Sequence, residues 1–157
     1  MIGRLIGIDH GSRRIGLAVS DAMGIGAREL TILTSKGDAA DFAEIAAIAK
    51  RTSAVGLVVG IPHNPNAPAG APKQADIVLD WSARLRAAVQ LPVAEVSEYL
   101  TSKEAQALAR QLKRDPRRPI DDLAARIILQ SYLDALSYGS ATFPPPDSSD
   151  CQSAAVQ

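Results

Sequence analysis

The sequence has little of what disulfide-stabilised, membrane-spanning or secreted proteins require. Its one cysteine, Cys151, excludes an intramolecular disulfide and a cysteine-rich zinc site. No apolar run approaches the ~20 residues that a membrane helix needs. The segment from Met1 to Ile8 is too short, and too soon interrupted by Asp9, to be a secretory signal. We therefore expect a reducing, cytoplasmic location and no membrane partner.

An excess of basic residues is also missing. The chain has 17 Lys and Arg and 17 Asp and Glu, so its formal net charge is zero at pH 7. Proteins that bind nucleic acid usually carry a basic excess, because neutralisation of phosphates supplies most of their affinity. Any nucleic-acid-binding surface of this chain must therefore be local and offset by acidic residues elsewhere.

The length and composition suit one globular domain. A chain of 157 residues can close one hydrophobic core, and the apolar fraction of 46% is ordinary for such a protein. Beyond Gly139 the sequence becomes rich in proline and serine. This composition predicts a disordered tail at residues 139–157, after a domain at residues 1–138.

Apolar periodicity predicts strands first and then alternating helices and strands. The predicted strands are residues 4–9, 14–20, 27–34, 54–60 and 91–96, and a turn-rich stretch occupies residues 61–72. Four helices are predicted. The first begins near Asp38 as N-cap, the second and third span residues 73–89 and 101–112, and the fourth begins at Pro119 and runs to residue 138. This order predicts an α/β fold with a central mixed five-stranded sheet and helices on both faces.

Two of these helices also have predicted inner faces. Trp81 lies on the apolar face of the helix at residues 73–89, and we expect it in the core. For the last helix the predicted apolar face consists of Leu123, Ala124, Ile127, Ile128, Ser131 and Ala135.

Acidic residues lie where several elements begin or end. Asp9 ends the first strand, Glu98 follows the last strand, and Asp121 and Asp122 occupy the first turn of the last helix. If the first and fourth strands are central neighbours, the carboxyl ends of the strands meet at the edge where open α/β sheets bind ligands. Three carboxylates there would repel one another unless cations lay between them. Two Mg²⁺ ions about 4 Å apart can activate a water and stabilise the leaving oxygen in phosphodiester cleavage.

Each acid also has an ordinary structural role. Asp9 is suited to begin a turn by bonding the following backbone amides. Glu98 fits a solvated loop or a helix start, and Asp121 and Asp122 suit the positive end of a helix dipole. The positions of the acids alone leave the structural and the catalytic interpretation open.

Four segments, taken in order, resemble the YqgF family. They are GIDHGSRRIGLAVSD at residues 7–21, VVGIP followed by Asn64 at residues 58–64, SEYLTS with Glu104-Ala105 from Ser97, and IDDLAA continuing through ILQSYL at residues 120–133. The resemblance covers roughly Gly3 to Leu136 and leaves only the tail outside.

The resemblance implies a ribonuclease-H-like fold and a hydrolase that cleaves phosphodiester bonds with Mg²⁺ or Mn²⁺. It implies catalytic, metal-binding roles for Asp9, Glu98 and Asp121, since Asp121 directly follows the apolar residue after the connector. The family is associated with cytoplasmic maturation of the 5′ end of 16S ribosomal RNA, which implies a pre-rRNA partner. The family was also proposed to resolve Holliday junctions, so branched DNA is the alternative substrate. A monomer and a homodimer both stay open, although a resolvase favours a two-fold dimer.

One segment departs from the family pattern. The family usually has aspartate and arginine beside the central glutamate, where this chain has Ser97 and Tyr99. An arginine there could hold a phosphate through two hydrogen bonds, which tyrosine cannot do. We expect a weaker grip on the substrate. A non-catalytic nucleic-acid-binding protein with the same fold is the corresponding alternative.

Other residues are candidate nucleic-acid contacts. They are Gly11, Arg13, Arg14 and Asn64 from the first two family segments, and the basic connector residues Lys113, Arg114, Arg117 and Arg118, which flank Asp121. Gly11 fits either a close phosphate approach or positive φ, or an ordinary hairpin turn. We interpret His10 as a turn residue and His63 as a loop residue.

A nucleotide-binding module of the actin and sugar-kinase type is a rival interpretation. Such proteins share a strand-turn-strand segment with aspartate and glycine. They clasp the nucleotide between two domains of this type, however, and 157 residues suffice for one. Nucleotide binding in a thermal-shift assay would favour that interpretation.

Overall fold

A computed structural model describes residues 2–62, 74–98 and 101–145, except for the side chains of residues 98, 101 and 102. The strands are β1 (Arg4–His10), β2 (Arg14–Ser20), β3 (Ala27–Thr34), β4 (Ala54–Pro62) and β5 (Val93–Glu98). The helices are α1 (Asp38–Thr52), α2 (Gln74–Val89), α3 (Thr101–Gln111) and α4 (Asp121–Ser137). None of the helices within these ranges is long and apolar enough to cross a membrane.

The strands form one mixed sheet. Its order is β3-β2-β1-β4-β5, with β1 antiparallel to β2 and parallel to β4, and β4 parallel to β5. The predicted five-stranded mixed sheet is therefore confirmed, and β1 and β4 are the central neighbours that the site prediction required. The carboxyl ends of β1, β4 and β5 lie at one edge. β4 and β5 each end two residues later than predicted, with Pro62 and Glu98 as the last pair.

Helices cover both faces, because strand residues alternate between them. On one face α1 and α2 pack on Ile6, Ile8, Leu17, Leu57 and Val59, and Trp81 is 2% exposed, as predicted for a core residue. On the other face α4 packs on Leu5, Ala18, Val58 and Ala94 through Ala125, Leu129 and Leu133. α3 lies against the start of α4 through Ala105, Ala109, Leu123 and Ala124.

Glycines on the sheet allow α4 to approach closely. A Cβ on Gly7 would lie 2.6 Å from Cβ of Leu129 and 2.8 Å from the carbonyl oxygen of Ala125. A Cβ on Gly16 would collide with the carbonyl oxygen of Asp121, and one on Gly60 with Ile128. The absence of side chains at Gly7 and Gly16 lets the backbone of α4 rest directly on the sheet, and at Gly60 it leaves room for the side chain of Ile128.

Two details of α4 differ from the prediction. The helix begins at Asp121, two residues after Pro119. Ser131 is exposed and Ala135 only half-buried, whereas Ala125, Leu129 and Tyr132 are buried. The prediction was right for Leu123, Ala124 and Ile128, which are buried, and wrong for Ser131. It missed part of the face because the helix packs on glycines of the sheet with one side and on α3 with another.

The start of α1 also differs. Its N-cap is Gly37, which makes no side-chain cap hydrogen bond, and Asp38 is the first helical residue, so the predicted Asp38 cap was wrong. The carboxylate of Asp41 instead accepts hydrogen bonds from Ser35 Oγ at 2.6 Å and from the amide of Lys36 at 2.9 Å. A carboxylate one turn into the helix thus stabilises the segment that leads into α1.

The start that was predicted for the disordered tail, residue 139, is too early. Tyr132 Oη donates a hydrogen bond to the carbonyl oxygen of Thr142 at 2.7 Å, and Ala141 and Phe143 pack on the core under α4. Residues 139–145 therefore belong to the folded domain, because they cover the sheet at Gly56, where a Cβ would lie 2.5 Å from the Phe143 ring. The remaining tail, residues 146–157, lies outside the described residues, as does the turn-rich segment 63–73.

We expect Gly16→Ala to destabilise the protein, because the new Cβ must displace the first turn of α4. Overpacking of this kind costs about 1–3 kcal/mol of unfolding free energy, measurable by urea denaturation. Gly26→Ala is the control, since a Cβ there would lie 3.7 Å from the nearest atom, Asp21 Oδ2. Equal stability of the two variants would contradict the close packing of α4 on β2.

Candidate active site

β1 brings Asp9 to the carboxyl edge of the sheet. Asp9 is the next-to-last residue of β1 and is half-buried. Strand alternation places it on the same face as Gly7, which lies under α4. Asp9 therefore stands where the sheet edge meets the helix that carries the next acid.

Packing of α4 brings Asp121 beside Asp9. Asp9 pairs with Gly16 of the neighbouring strand. The backbone of Asp121 rests on Gly16, because that position has no Cβ. The first residue of α4 thus lies over the residue adjacent to Asp9, although the two acids are more than a hundred positions apart in the sequence.

Burial and the nearby charge of Asp121 perturb the carboxyl group of Asp9. The pKa of Asp9 is raised from 3.8 to about 6, chiefly because burial disfavours the charged carboxylate and secondly because the negative charge of Asp121 lies nearby. Strongly perturbed carboxyl groups at a sheet edge mark candidate functional sites. The pair has the chemistry of a cation site, since a divalent ion between the oxygens would relieve both penalties.

Arg14 is the cation that Asp121 contacts in this structure. Its Nε donates a hydrogen bond to Asp121 Oδ2 at 3.0 Å, and the two side chains are 50% and 20% exposed. Arg14 begins β2, and its carbonyl oxygen accepts a hydrogen bond from the amide of Gly11 at 2.9 Å. A Cβ on Gly11 would lie 2.6 Å from that oxygen, and the φ of Gly11 is not positive. The tight turn therefore explains the glycine.

Asp122 is held in a buried ion pair. Its carboxylate accepts hydrogen bonds from Arg114 Nη1 at 2.6 Å and Nη2 at 3.2 Å, and from the amide of Leu123 at 2.9 Å. The side chains of Arg114 and Asp122 are only 9% and 5% exposed. Arg114 Nη1 also donates to the carbonyl oxygen of Pro119 at 3.2 Å.

This ion pair separates the roles of the two neighbouring aspartates. Asp122 fixes the connector to the start of α4, which leaves Asp121 as the acid that faces Asp9. The sequence placed Arg114 among the nucleic-acid contacts. Its guanidinium is already bound within the protein, so we assign Arg114 to the support of α4 and not to phosphate contact.

Glu98 is the last residue of β5 and pairs with Pro62. Ala94, four residues earlier, pairs with Val58 in the core under α4, so the register places Glu98 on the face that carries Asp9. β5 is two strands from β1, a lateral distance of about 10 Å. The side chain of Glu98 lies outside the described residues, as does all of Asn64. Among the described residues no group of three potential metal ligands forms, so the three-acid set stays a prediction.

A basic cleft adjoins Asp121. It has a volume of about 480 Å³ and is bounded by Arg14, Arg110, Arg114, Arg118 and Asp121 among others. Of the other predicted contacts, Arg13 is exposed, and Lys113 lies in the turn two residues after α3, with φ 56°. Arg117 is 91% exposed, with Asp115 at 3.5 Å. Sequence reasoning missed Arg110. Only its place in the last turn of α3, next to the basic connector, could have indicated it.

His10 lies on the opposite face of β1 from Asp9. Its ring centroid is 4.4 Å from that of Trp81, and its Nδ1 is buried with no hydrogen-bond partner among the described residues. Burial is the main cause that lowers the pKa of His10. His10 is therefore the last strand residue and not part of the turn, and its stacking on Trp81 fixes the end of β1.

Comparison with known proteins identifies the family. A family model described as RuvX, Holliday junction resolvase, matches residues 3–135. The chain belongs to this family. It is 40% identical over 132 residues to a protein of Synechococcus sp. and 38% identical over 136 residues to one of Moorella thermoacetica, covering 87% and 96% of those proteins. Both are named "Putative pre-16S rRNA nuclease".

Solved structures show the same fold. RuvC of Thermus thermophilus in complex with a Holliday junction substrate has a TM-score of 0.59 and 17% sequence identity, with coverage of 87% of this chain and 97% of that chain. A second RuvC structure from that organism has a TM-score of 0.54 and 15% identity, and covers 87% of this chain and 96% of that one. The predicted ribonuclease-H-like fold is confirmed by this likeness.

We expect Asp9→Asn to stabilise the metal-free protein at neutral pH. Because the folded-state pKa of Asp9 is raised to about 6, the folded chain binds more protons than the unfolded chain between about pH 4 and pH 6, and stability falls as pH rises through that window. The asparagine variant lacks this penalty, which is on the order of 3 kcal/mol above pH 6. Urea denaturation from pH 4 to pH 8 measures the difference.

Asp21→Asn is the control, because its effect on stability at neutral pH should have the opposite sign. The amides of Gly26 and Ile25 lower the pKa of Asp21 by donating hydrogen bonds to its carboxylate, so this variant should lose stability at neutral pH. If Asp9→Asn showed no gain that grew with pH, the raised pKa of Asp9, and with it the burial of this carboxyl group, would be contradicted.

Proposed function

We propose that this RuvX-family protein is a divalent-metal-dependent nuclease that hydrolyses phosphodiester bonds. The observation that carries the proposal is the placement of Asp121 over the strand residue adjacent to Asp9, with the pKa of Asp9 raised to about 6. Two carboxylates held together by backbone packing need a cation, and the basic cleft beside them suits a polyanion. The names of the relatives support the same activity.

The donor set fits Mg²⁺ or Mn²⁺. Asp9, Asp121 and the proposed third ligand, Glu98, offer only carboxylate oxygens, which these hard cations prefer over nitrogen or sulfur ligands. Two bound ions would supply an activated water and stabilise the leaving oxygen of the phosphodiester. The half-buried position of Asp9 limits water around the acids, which strengthens electrostatic interactions within the site.

The protein's own residues orient the substrate. Arg14 and Arg118 lie at the cleft beside Asp121, where guanidinium groups can hold phosphate oxygens through paired hydrogen bonds. Arg110 extends the same surface, and Arg13 and Arg117 lie exposed nearby. Asn64 and Lys113 complete the proposed contacts. The Arg114–Asp122 ion pair keeps this surface and Asp121 in fixed relation.

The proposed substrate is the 5′ region of pre-16S ribosomal RNA, which places the protein in cytoplasmic ribosome biogenesis. The names of the relatives from Synechococcus sp. and Moorella thermoacetica support this choice. The family description favours a second candidate, a Holliday junction. A resolvase needs a two-fold dimer to match its substrate, whereas an RNA nuclease can act as a monomer. Parallel cleavage assays on both substrates distinguish the two candidates. The molar mass of the protein in solution shows whether it is a monomer or a dimer.

We expect Asp9→Asn, Glu98→Gln and Asp121→Asn each to lower cleavage roughly 100-fold or more, because each removes a proposed metal ligand. Nucleic-acid binding should persist, since no basic residue is lost. Cleavage of labelled RNA in Mg²⁺ and Mn²⁺ measures the first effect, and fluorescence anisotropy the second. Asp80→Asn, an exposed acid on α2, is the control.

The outcome also tests the non-catalytic alternative. Unchanged cleavage in all three site variants would overturn the assigned site. No metal-dependent cleavage of either substrate by the wild-type protein would favour a binding protein with the same fold, as Ser97 and Tyr99 suggest.

We expect Arg14→Gln to tighten binding of Mg²⁺ to the nucleic-acid-free protein. Arg14 contacts Asp121 at 3.0 Å, so a metal ion must displace its guanidinium from that carboxylate. Because half-exposed ion pairs contribute up to about 1 kcal/mol, the gain should be about two- to five-fold. Isothermal titration calorimetry measures it, with cleavage expected to fall because a phosphate contact is lost.

Arg13→Gln removes the same charge from the neighbouring position and serves as the control. It should raise the affinity for Mg²⁺ less than Arg14→Gln does. Equal effects of the two variants would show that only general electrostatics act, and that the Arg14–Asp121 contact has no specific role in metal binding.

A further inference from the structure

We propose that a second cleft, at the opposite end of the sheet from the active site, binds the phosphodiester backbone of the same nucleic acid. The cleft has a volume of about 530 Å³ and lies between the β2–β3 hairpin and the end of α1. Arg4, Arg28 and Arg51 line it, and we call it the distal arginine cleft. That the polyanion is a nucleic acid rests on the proposed function.

The acid in this cleft is already bound by backbone amides. Asp21 accepts hydrogen bonds from Gly26 at 2.7 Å and from Ile25 at 3.2 Å. These bonds also close the turn of the β2–β3 hairpin. The carboxylate of Asp21 is therefore satisfied without an arginine.

The negative end of α1 is likewise satisfied. Thr52 Oγ1 donates a hydrogen bond to the carbonyl oxygen of Ile48 at 2.8 Å, and the amide of Ser53 donates one to the carbonyl oxygen of Lys50 at 3.2 Å. Arg4 Nη1 donates to the carbonyl oxygen of Thr52 at 3.3 Å. Arg4 thus completes the helix end, which would otherwise repel an anion.

Two guanidinium groups are left for a ligand. Arg28 and Arg51 are exposed and have no ion-pair partner among the described residues. The nearest acid along β3 is Glu29, and its carboxylate is already paired with Arg126 of α4, with 2.9 Å between Glu29 Oε2 and Arg126 Nη1. Two arginines that form no ion pair within the described part of the chain therefore face solvent, beside a lining that includes Val19 and Leu30. Guanidinium groups in this arrangement suit phosphate oxygens.

The separation from the active site indicates an extended ligand. Arg14 pairs with Thr34 at one end of the β2–β3 ladder, and Val19 pairs with Arg28 near the other end. Five residues of strand span about 17 Å, which equals about five nucleotides of one strand of a duplex. Arg28 lies on the face covered by α1, because it pairs with Val19 and Val19 pairs with Ile6, whereas Arg14 contacts Asp121 on the face covered by α4. The path around the edge strand β3 is therefore longer than this, so a nucleic acid of more than five nucleotides is needed to reach both clefts.

The test uses the double variant Arg28→Gln, Arg51→Gln in the full-length chain. Its affinity for a 25-nucleotide RNA stem-loop, measured by fluorescence anisotropy in Ca²⁺, should fall about 5- to 20-fold at moderate salt. The slope of log affinity against log salt should decrease by about 1.5–2, because two phosphate contacts are lost. Affinity for a five-nucleotide RNA should fall less, because it cannot occupy both clefts at once. Thermal melting checks that the variant is folded.

Lys50→Gln is the matched control. Lys50 is exposed in the last turn of α1, next to Arg51 in sequence, but does not line the cleft. It should leave both affinities and the salt slope nearly unchanged. Equal losses in the control and the double variant would overturn the proposal, as would unchanged binding of the long RNA in the double variant. Binding of polyglutamate that depends on the two arginines, without an effect on RNA, would assign the cleft to an acidic protein and would also overturn it.

This result can be told apart from the fate of the proposed function. Binding is measured without cleavage, so a dependence on Arg28 and Arg51 would stand even if the acids at the other end of the sheet had no nuclease activity. Conversely, the double variant could show normal metal-dependent cleavage and unchanged affinity for RNA of either length. That result would refute the proposal for the distal arginine cleft and leave the nuclease proposal intact.

Discussion

The seating of α4 on a glycine-lined face of the sheet is the constraint on which the rest of the structure depends. Gly7 and Gly16 present no side chains, so the helix backbone approaches the sheet where any Cβ would collide with it, and Gly60 leaves room for Ile128. The acids are therefore positioned by van der Waals contact and strand pairing, and not by attraction between them. Their mutual repulsion is offset by the surrounding core, in which Leu5, Leu129 and Leu133 are almost fully buried.

The distribution of ion pairs explains how a chain of zero net charge can act on a polyanion. The arginine most deeply buried in an ion pair, Arg114, serves the fold through Asp122. Others, such as Arg84 with Asp38 and Arg126 with Glu29, form partly exposed pairs that tie helices to each other or to the sheet. At each of the two clefts the arginines outnumber the acids, so the positive field is local although the chain as a whole has no net charge.

The sequence predicted the sheet and its edge well, because alternation and continuous apolar runs are strong local signals. The bounds of β2 and β3 were predicted to the residue. The inner face of α4 was predicted only in part, since hydrophobic periodicity does not reveal packing on glycines. Arg114 shows the same limit within the site: a basic residue in a connector gives no sign that a buried aspartate eight positions later binds it. The predicted N-cap of α1 was wrong for a similar reason. Gly37 is the N-cap, and Asp41, not Asp38, accepts a hydrogen bond from the backbone just before the helix.

Asp9 and His10 are consecutive, yet one belongs to the acidic site and the other stacks on Trp81 in the opposite core. A slip of one residue in the β1–β2 ladder would exchange them, burying a carboxylate against an indole and turning an imidazole towards Asp121. The tight turn closed by the Gly11 amide and the Arg14 carbonyl fixes that ladder. Loop length between β1 and β2 is thus under a parity constraint, so that a single-residue insertion there is more damaging than its exposed position suggests.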